Sequence, residues 1–264
     1  MTFRSWALPF LAAGLLTPAV AHAQVVEEEE AEVLAPKVKA KGPANLPDLA
    51  EVTERVVRRT NDFRGAEGLP KVEVNPKLGE TAKYFADYMA RTDKYGHTAD
   101  GNRPAGRAKK HGYDYCLVSE NIAYQYNSAG FTTEKLAQEF FEGWKHSPGH
   151  RKNMLDPDVT ETGVAVARSV ETGYYYAVQM FGRPKSKAIE FVITNQSEAT
   201  VEYKIGDRTF PLPPRLIRTH QRCRPTEVTF RWPGTEGEAR VVQPSNGDRF
   251  VVVGEKGAFQ LKKE

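Results

Sequence analysis

The sequence is short of several things, and each shortage narrows its function. Positive charge is not concentrated. Lys and Arg number 37 against 34 Asp and Glu, a net charge of +3, and no Lys/Arg block interleaves with aromatics, so a nucleic-acid partner is not expected. No run after the first two dozen residues approaches the roughly 20 apolar residues needed to cross a bilayer as a helix. No Gly-x-Ser-x-Gly elbow precedes a helix, and Ser147 has the wrong context for one, which argues against a serine nucleophile of the α/β-hydrolase kind. Cysteine is scarce, with two residues in the chain. At 264 residues and 40% hydrophobic composition there is chain enough to bury a core without relying on disulfides.

What is present begins with a leader. One positive charge in Met1 to Arg4 precedes an apolar stretch from Trp6 to Leu16, and Ala21-His-Ala23 follows. This is the pattern of a secretory signal peptide over 1–23, cleaved after Ala23, with a periplasmic or extracellular destination. Such a compartment permits a disulfide between Cys116 and Cys223; two separate buried thiols are the alternative. Cys116, flanked by Tyr115 and Leu117, has no neighbour that would lower a thiol pKa and reads as structural. Residues 24–47 carry Glu27 to Glu30 and Glu32, then Lys37, Lys39 and Lys41, with little to bury, and are expected to be a disordered tether.

From Asp48 the pattern becomes periodic. Leu49, Val52, Val56 and Phe63 fall on one face of a helix ending near Gly65. Leu78, Ala82, Phe85, Ala86 and Met89 do the same behind Pro76, with Gly79 a weak point near the start. A short helix is expected over 105–110. Leu136, Ala137, Phe140, Phe141 and Trp144 line another, with Thr133 as its N-cap. The runs starting at Gly163 and Tyr174, separated by Glu-Thr-Gly, read as a β-hairpin, with the three tyrosines at 174–176 divided between core and surface. Residues 48–183 are therefore expected to form a layered α+β domain. Residues 188–264 change character again, to short alternating runs at Ile189, Val201, Glu227, Glu238 and Arg249, and are expected to form a small all-β, sandwich-like module of about five or six strands.

Four stretches carry polar groups suited to chemistry: Gly96-His97 in a turn-rich loop, Ser119-Glu120-Asn121-Ile122, Trp144 through Ser147, His150 and Asn153, and Gln179 to Gly182. Their order and spacing, with Asn61 and Arg64 closing the first helix, resemble bacterial members of the CAP superfamily (cysteine-rich secretory proteins, antigen 5 and pathogenesis-related proteins). The resemblance covers about 48–183 and implies an αβα sandwich around a central antiparallel sheet. It also implies a surface cleft of two His and two Glu that sometimes holds a divalent metal. His97, Glu120 and His150 match three of those positions, and Ser147 stands at the fourth. Glu142 is expected on another side of its helix.

Two imidazoles and a carboxylate suit Zn²⁺ with an open position, so His97 and His150, with Glu120, are the candidate metal ligands. The same groups can instead satisfy one another by hydrogen bonds. His146 and His150 are not expected to form a helical zinc pair, because Pro148 and Gly149 interrupt the helix between their faces. His97, Glu120, Asn121, Ser147 and His150 make up the candidate binding cleft. The reading preferred is a secreted, non-enzymatic module that binds a lipid, an envelope component or a partner protein. The alternative is a metal-dependent, peptidase-like hydrolase with Glu120 as general base; a passive envelope protein is a third possibility.

Overall fold

The computed structural model describes residues 33–34, 46–234, 239–255 and 258–264. The expected leader lies outside the described residues. So does the expected tether, except for Leu46, Pro47 and one point where it departs from expectation. Val33–Leu34 (β1) pairs antiparallel with Lys94–Tyr95. This apolar pair between Glu32 and the lysines contributes a two-residue ladder where the charge run suggests only solvated chain.

The first domain follows in chain order as α1 (Leu49–Ala66), β2 (Glu73–Val74), α2 (Pro76–Thr92), β3 (Lys94–Tyr95), α3 (Pro104–Lys110) and β4 (Tyr115–Gln125). Then come α4 (Thr133–His146), α5 (Pro148–Met154), β5 (Glu161–Arg168) and β6 (Tyr175–Pro184). The helix starts have visible causes. The Asp48 carboxylate accepts from the amides of Ala50 and Glu51 at 2.9 and 3.1 Å, and Asn75 caps α2 ahead of Pro76 at its first position. For α4 the cap is Thr132, not Thr133: the Thr132 hydroxyl accepts from the Lys135 amide. Thr133 already lies in the helix, and its own hydroxyl accepts from the amide of Asp48 at 3.0 Å. The threonines are adjacent, and the α1 contact decides between them.

The sheet has the order β2-β5-β6-β4, antiparallel except for the short parallel pair β2–β5. Both faces are covered. Val164, Tyr175, Ala177 and Phe181 pack against α1, α4 and α5, burying Val56, Phe140, Trp144 and Met154. Ala165, Ala167, Tyr176, Val178 and Met180 pack against α2 and α3, burying Phe85, Met89 and Ala108. This is the expected αβα sandwich. Because helices cover both faces, Tyr174, Tyr175 and Tyr176 are all buried, and none of the three is left on the surface. Gly163 allows the tightest contact. A Cβ there would lie 2.2 Å from the Gly79 nitrogen and 2.3 Å from the Leu78 carbonyl carbon, so β5 touches the α2 backbone directly.

A 3₁₀ turn, Lys185–Lys187, leads into the second module. Its strands are β7 (Ile189–Asn195), β8 (Val201–Ile205), β9 (Arg208–Leu212), β10 (Ile217–Arg222), β11 (Val228–Arg231), β12 (Ala239–Val242), β13 (Arg249–Val253) and β14 (Gln260–Lys263). They form two four-stranded sheets, β10-β7-β13-β14 and β12-β11-β8-β9. Phe191, Ile193, Val201, Tyr203, Leu212, Val228, Phe230 and Val252 fill the space between them. The sandwich is the expected one, with more strands. The three unexpected ones, β9, β10 and β14, are all sheet edges, where Pro211, Arg218, Arg222, Lys262 and Lys263 replace the apolar alternation. Edge strands carry charge and proline because these discourage further pairing.

The two modules are joined covalently. Cys116 and Cys223 form a disulfide across 107 residues, with Cα atoms 5.3 Å apart. Cys116 falls where the β4–β6 register shifts between Tyr115 and Leu117; such a bulge redirects a side chain out of the regular pleat. Beside the bridge, Arg224 reaches Asp156 at 2.7 Å and Asp158 at 2.6 Å in the first domain.

Candidate functional site

The first domain gathers its polar side chains where α3, β4, α5 and the loop after β3 converge. Glu120, on β4, has a side chain 1% exposed. Its anion is met by Arg107 of α3, whose Nη2 donates to both carboxylate oxygens at 2.8 and 2.7 Å. His97 Nδ1 lies 2.7 Å from Glu120 Oε1. Arg107 is itself fully buried. It donates to Asp100 Oδ1 at 2.7 Å and to the carbonyls of Asn102 and His97 at 2.6 and 2.9 Å. Its guanidinium carbon sits 3.5 Å from the centre of the Phe85 ring. A buried charge is tolerated only when paired and hydrogen-bonded, and Arg107 meets that condition with two carboxylates.

Sequence reasoning misses Arg107. It sits among Arg103, Lys109 and Lys110, and nothing local separates it from basic residues that face water. The available signal is its counterpart: Asp100 and Glu120 are two acids flanking a helix whose last turn is basic.

The remaining expected residues hold chain segments together. The Asn121 amide donates to the His150 carbonyl at 3.2 Å and accepts from Asn153 at 2.9 Å. Asn153 also donates to the Glu120 carbonyl at 3.2 Å. Together these pin α5 to β4. Ser147 is extended, with φ −89° and ψ 121°, and separates α4 from α5. His146 and His150 therefore belong to different helices, and the exposed His146 turns back to the Glu142 carbonyl at 2.9 Å. His150 is half-buried. Burial first, and the neighbouring His97 second, push its imidazole below the ordinary histidine range and favour the neutral form.

The Asn61 and Arg64 pair is explained in the same way. The Asn61 side chain bonds both the amide and the carbonyl of Val72, at 2.8 and 3.0 Å. Buried Arg64 donates to the carbonyls of Pro70, Met154 and Asp156 at 2.8, 2.8 and 2.9 Å. These carbonyls belong to the chain just before β2 and at the end of α5.

Among the described residues, no group of three or more His, Cys, Asp or Glu is placed to hold a metal ion. Glu120 has both oxygens committed to Arg107 and one of them also to His97. A carboxylate behind a histidine orients the ring and is not a ligand in that position. His97 and His150 alone fall short of the three protein ligands of a catalytic zinc site.

Helices on both faces of a largely antiparallel sheet, with an Arg–Glu–His cluster at one edge of the layers, define a specific class of α+β sandwich. Residues 57–181 match the family model described as "Cysteine-rich secretory protein family" (CAP), and the first domain of this chain is a CAP domain. The uncharacterized protein YkwD of Bacillus subtilis (strain 168) is 29% identical over 131 residues, 49% of this chain and 47% of that protein. The chain thus matches about half the length of that relative. Among solved structures, an outer surface protein of Borrelia burgdorferi is 20% identical with a TM-score of 0.47, covering 53% of this chain and 98% of that one. An extracellular SCP-domain protein of Bacillus anthracis str. Ames is 24% identical with a TM-score of 0.43, covering 51% and 41%.

Proposed function

We propose that this is an exported binding module, with the CAP domain as scaffold and the β-sandwich clamped to it, and that the His97–Glu120–Arg107 cluster is architectural and not catalytic. One observation carries the reading: both Glu120 oxygens are taken up by a buried guanidinium. A general base needs an accessible lone pair aimed at its proton, whereas Glu120 has a side chain 1% exposed, with Oε1 engaged by Arg107 and His97 and Oε2 by Arg107. Export is supported by the leader pattern and by the Cys116–Cys223 disulfide, since such bonds persist in oxidising compartments. No helix among the described residues is long and apolar enough to cross a membrane. The ligand class is a lipid, an envelope component or a protein partner.

The competing reading, a peptidase-like metal-dependent hydrolase, rests on the neutral His150 ring beside His97. Proteolysis of casein, with and without added zinc, separates the two. Wild type, Glu120→Gln and the double variant His97→Ala with His150→Ala are compared, with folding checked by circular dichroism. No turnover by any of them is the expected result. Zinc-dependent turnover by wild type that vanishes in the folded variants would replace the binding module with the hydrolase.

A further inference from the structure

A second candidate site lies away from His97 and Glu120, where the two modules meet. A cleft of 580 Å³ is lined by Arg183, Ser186 and Lys187 from the connection and by Gln243, Ser245 and Asn246 from the β12–β13 turn, and no acidic residue lines it. Its volume is within the range of small-ligand sites.

The charges around it are arranged unequally. Arg183 is held by two carbonyls, with Nε donating to Lys187 O at 3.0 Å and Nη1 to Asp158 O at 3.3 Å. The guanidinium is therefore oriented without being neutralised. The nearby carboxylates of Asp156 and Asp158, the latter on the residue whose carbonyl holds Arg183, are engaged by Arg224. Asn246 is oriented as well. Its Oδ1 accepts from the Glu190 amide at 2.9 Å, which leaves its NH₂ as the free end. The lining thus presents two cations, two side-chain amides and two hydroxyls, rich in donors, and the adjoining Asp248 carboxylate, which accepts from the Ser245 amide, is paired with Lys263. Arg and Lys beside neutral donors is the chemistry of a tetrahedral oxyanion, because Arg supplies paired N–H groups and the others complete the shell.

The cleft is also built to stay in place. Arg183 stands opposite Leu117 in the sheet, next to Cys116, and Pro225, another lining residue, is two positions from Cys223. The disulfide and the Arg224 clamp fix the two walls relative to each other, so little ordering cost is left for a ligand.

We propose that this inter-module cleft binds a phosphate group, carried by a small phosphorylated molecule or by the headgroup of an anionic phospholipid. This does not depend on the reading of the His97–Glu120 cluster. The test uses the full-length, oxidised protein and two probes: glycerol 1-phosphate, followed by calorimetry, and phosphatidylcholine vesicles with or without phosphatidylglycerol, followed by co-sedimentation. Arg183→Gln with Lys187→Gln removes the cations. Asn246→Asp keeps the acceptor for the Glu190 amide and adds a negative charge, so it tests the site with the turn intact. Saturable binding of glycerol 1-phosphate, weakened about tenfold or more in both variants, assigns a soluble phosphate ligand. A response to phosphatidylglycerol vesicles alone, lost in both variants, assigns the lipid headgroup. No binding of either probe, or binding unchanged in the variants, overturns the proposal.

Discussion

The two modules solve the same problem by different means. Every buried backbone N–H and C=O must find a partner. In the β-sandwich the ladders supply most of them, and the layer between the sheets is apolar apart from the hydrogen-bonded pair Tyr203 and His220 and the buried Asn195, whose amide donates to the Ala199 and Leu212 carbonyls. The CAP domain has long connections around its helices, and there side chains supply the partners. Arg64 serves three carbonyls, Arg107 serves two carbonyls and two carboxylates, and Asn61, Asn121 and Asn153 tie loops and α5 to the sheet. Under the proposed reading, polar residues that look catalytic in sequence are, in this domain, the substitute for regular pairing.

The largest expected effect comes from separating the modules. Replacing Cys116 and Cys223 by Ala opens a loop of 107 residues, which costs up to about 4.7 kcal/mol in the chain-entropy model. Denaturant unfolding of the variant is expected to split into two transitions, one per module; a single transition at the wild-type midpoint would contradict independent modules.

Acid should act on the sandwich through His220. Burial first, then Arg222 and Arg218, lower its pKa to about 4 from 6.5. The unfolded chain therefore binds the proton more readily, so this stability is complete above pH 6.5 and is lost as the pH falls toward 4. The loss amounts to about 3 kcal/mol at most. The Tyr203 hydroxyl and His220 Nε2 lie 2.7 Å apart, and an unprotonated Nε2 accepts the hydroxyl proton, which a protonated ring cannot do. His220→Phe is expected to flatten the pH dependence of unfolding between 6.5 and 4, and an undiminished slope in that variant would place the acid sensitivity elsewhere.

Gly163→Ala forces β5 and the α2 backbone apart and is expected to cost about 2 kcal/mol, read as a lowered melting temperature of the CAP domain with the sandwich unaffected. The smallest effect belongs to Arg224→Ala. Arg224 is half exposed and its ion pairs are worth about 1 kcal/mol or less, so hydrogen exchange at the α5–β5 connection should rise while the global midpoint hardly moves.

Much of this architecture is legible in the sequence, for reasons that also explain the gaps. Helices with an apolar stripe, such as Leu136 to Trp144, and central strands such as Val201-Glu-Tyr-Lys-Ile announce themselves because one face must be buried. Edge strands β9, β10 and β14 do not, since their composition is set by what they must avoid pairing with. At the site, the sequence brings His97, Glu120, Asn121 and His150 to one region but does not reveal their roles. Those depend on Arg107, whose partners are 7 and 13 residues away and whose burial no local pattern encodes. The Cys116–Cys223 pairing is one of two open possibilities in the sequence; in the structure the β4 bulge falls at Cys116 and the Arg224 ion pairs lie beside Cys223.

Glu120 is the residue on which an architectural cluster depends most directly, and the decisive measurement is the unfolding free energy of Glu120→Gln. Gln keeps the shape and removes the charge that balances Arg107. If the carboxylate is an architectural counter-ion, the CAP domain loses about 3 kcal/mol or more, the cost of leaving a buried partner charge uncompensated. Stability within about 0.5 kcal/mol of wild type would mean that the cluster carries no structural load, and Glu120 would return as a candidate for chemistry.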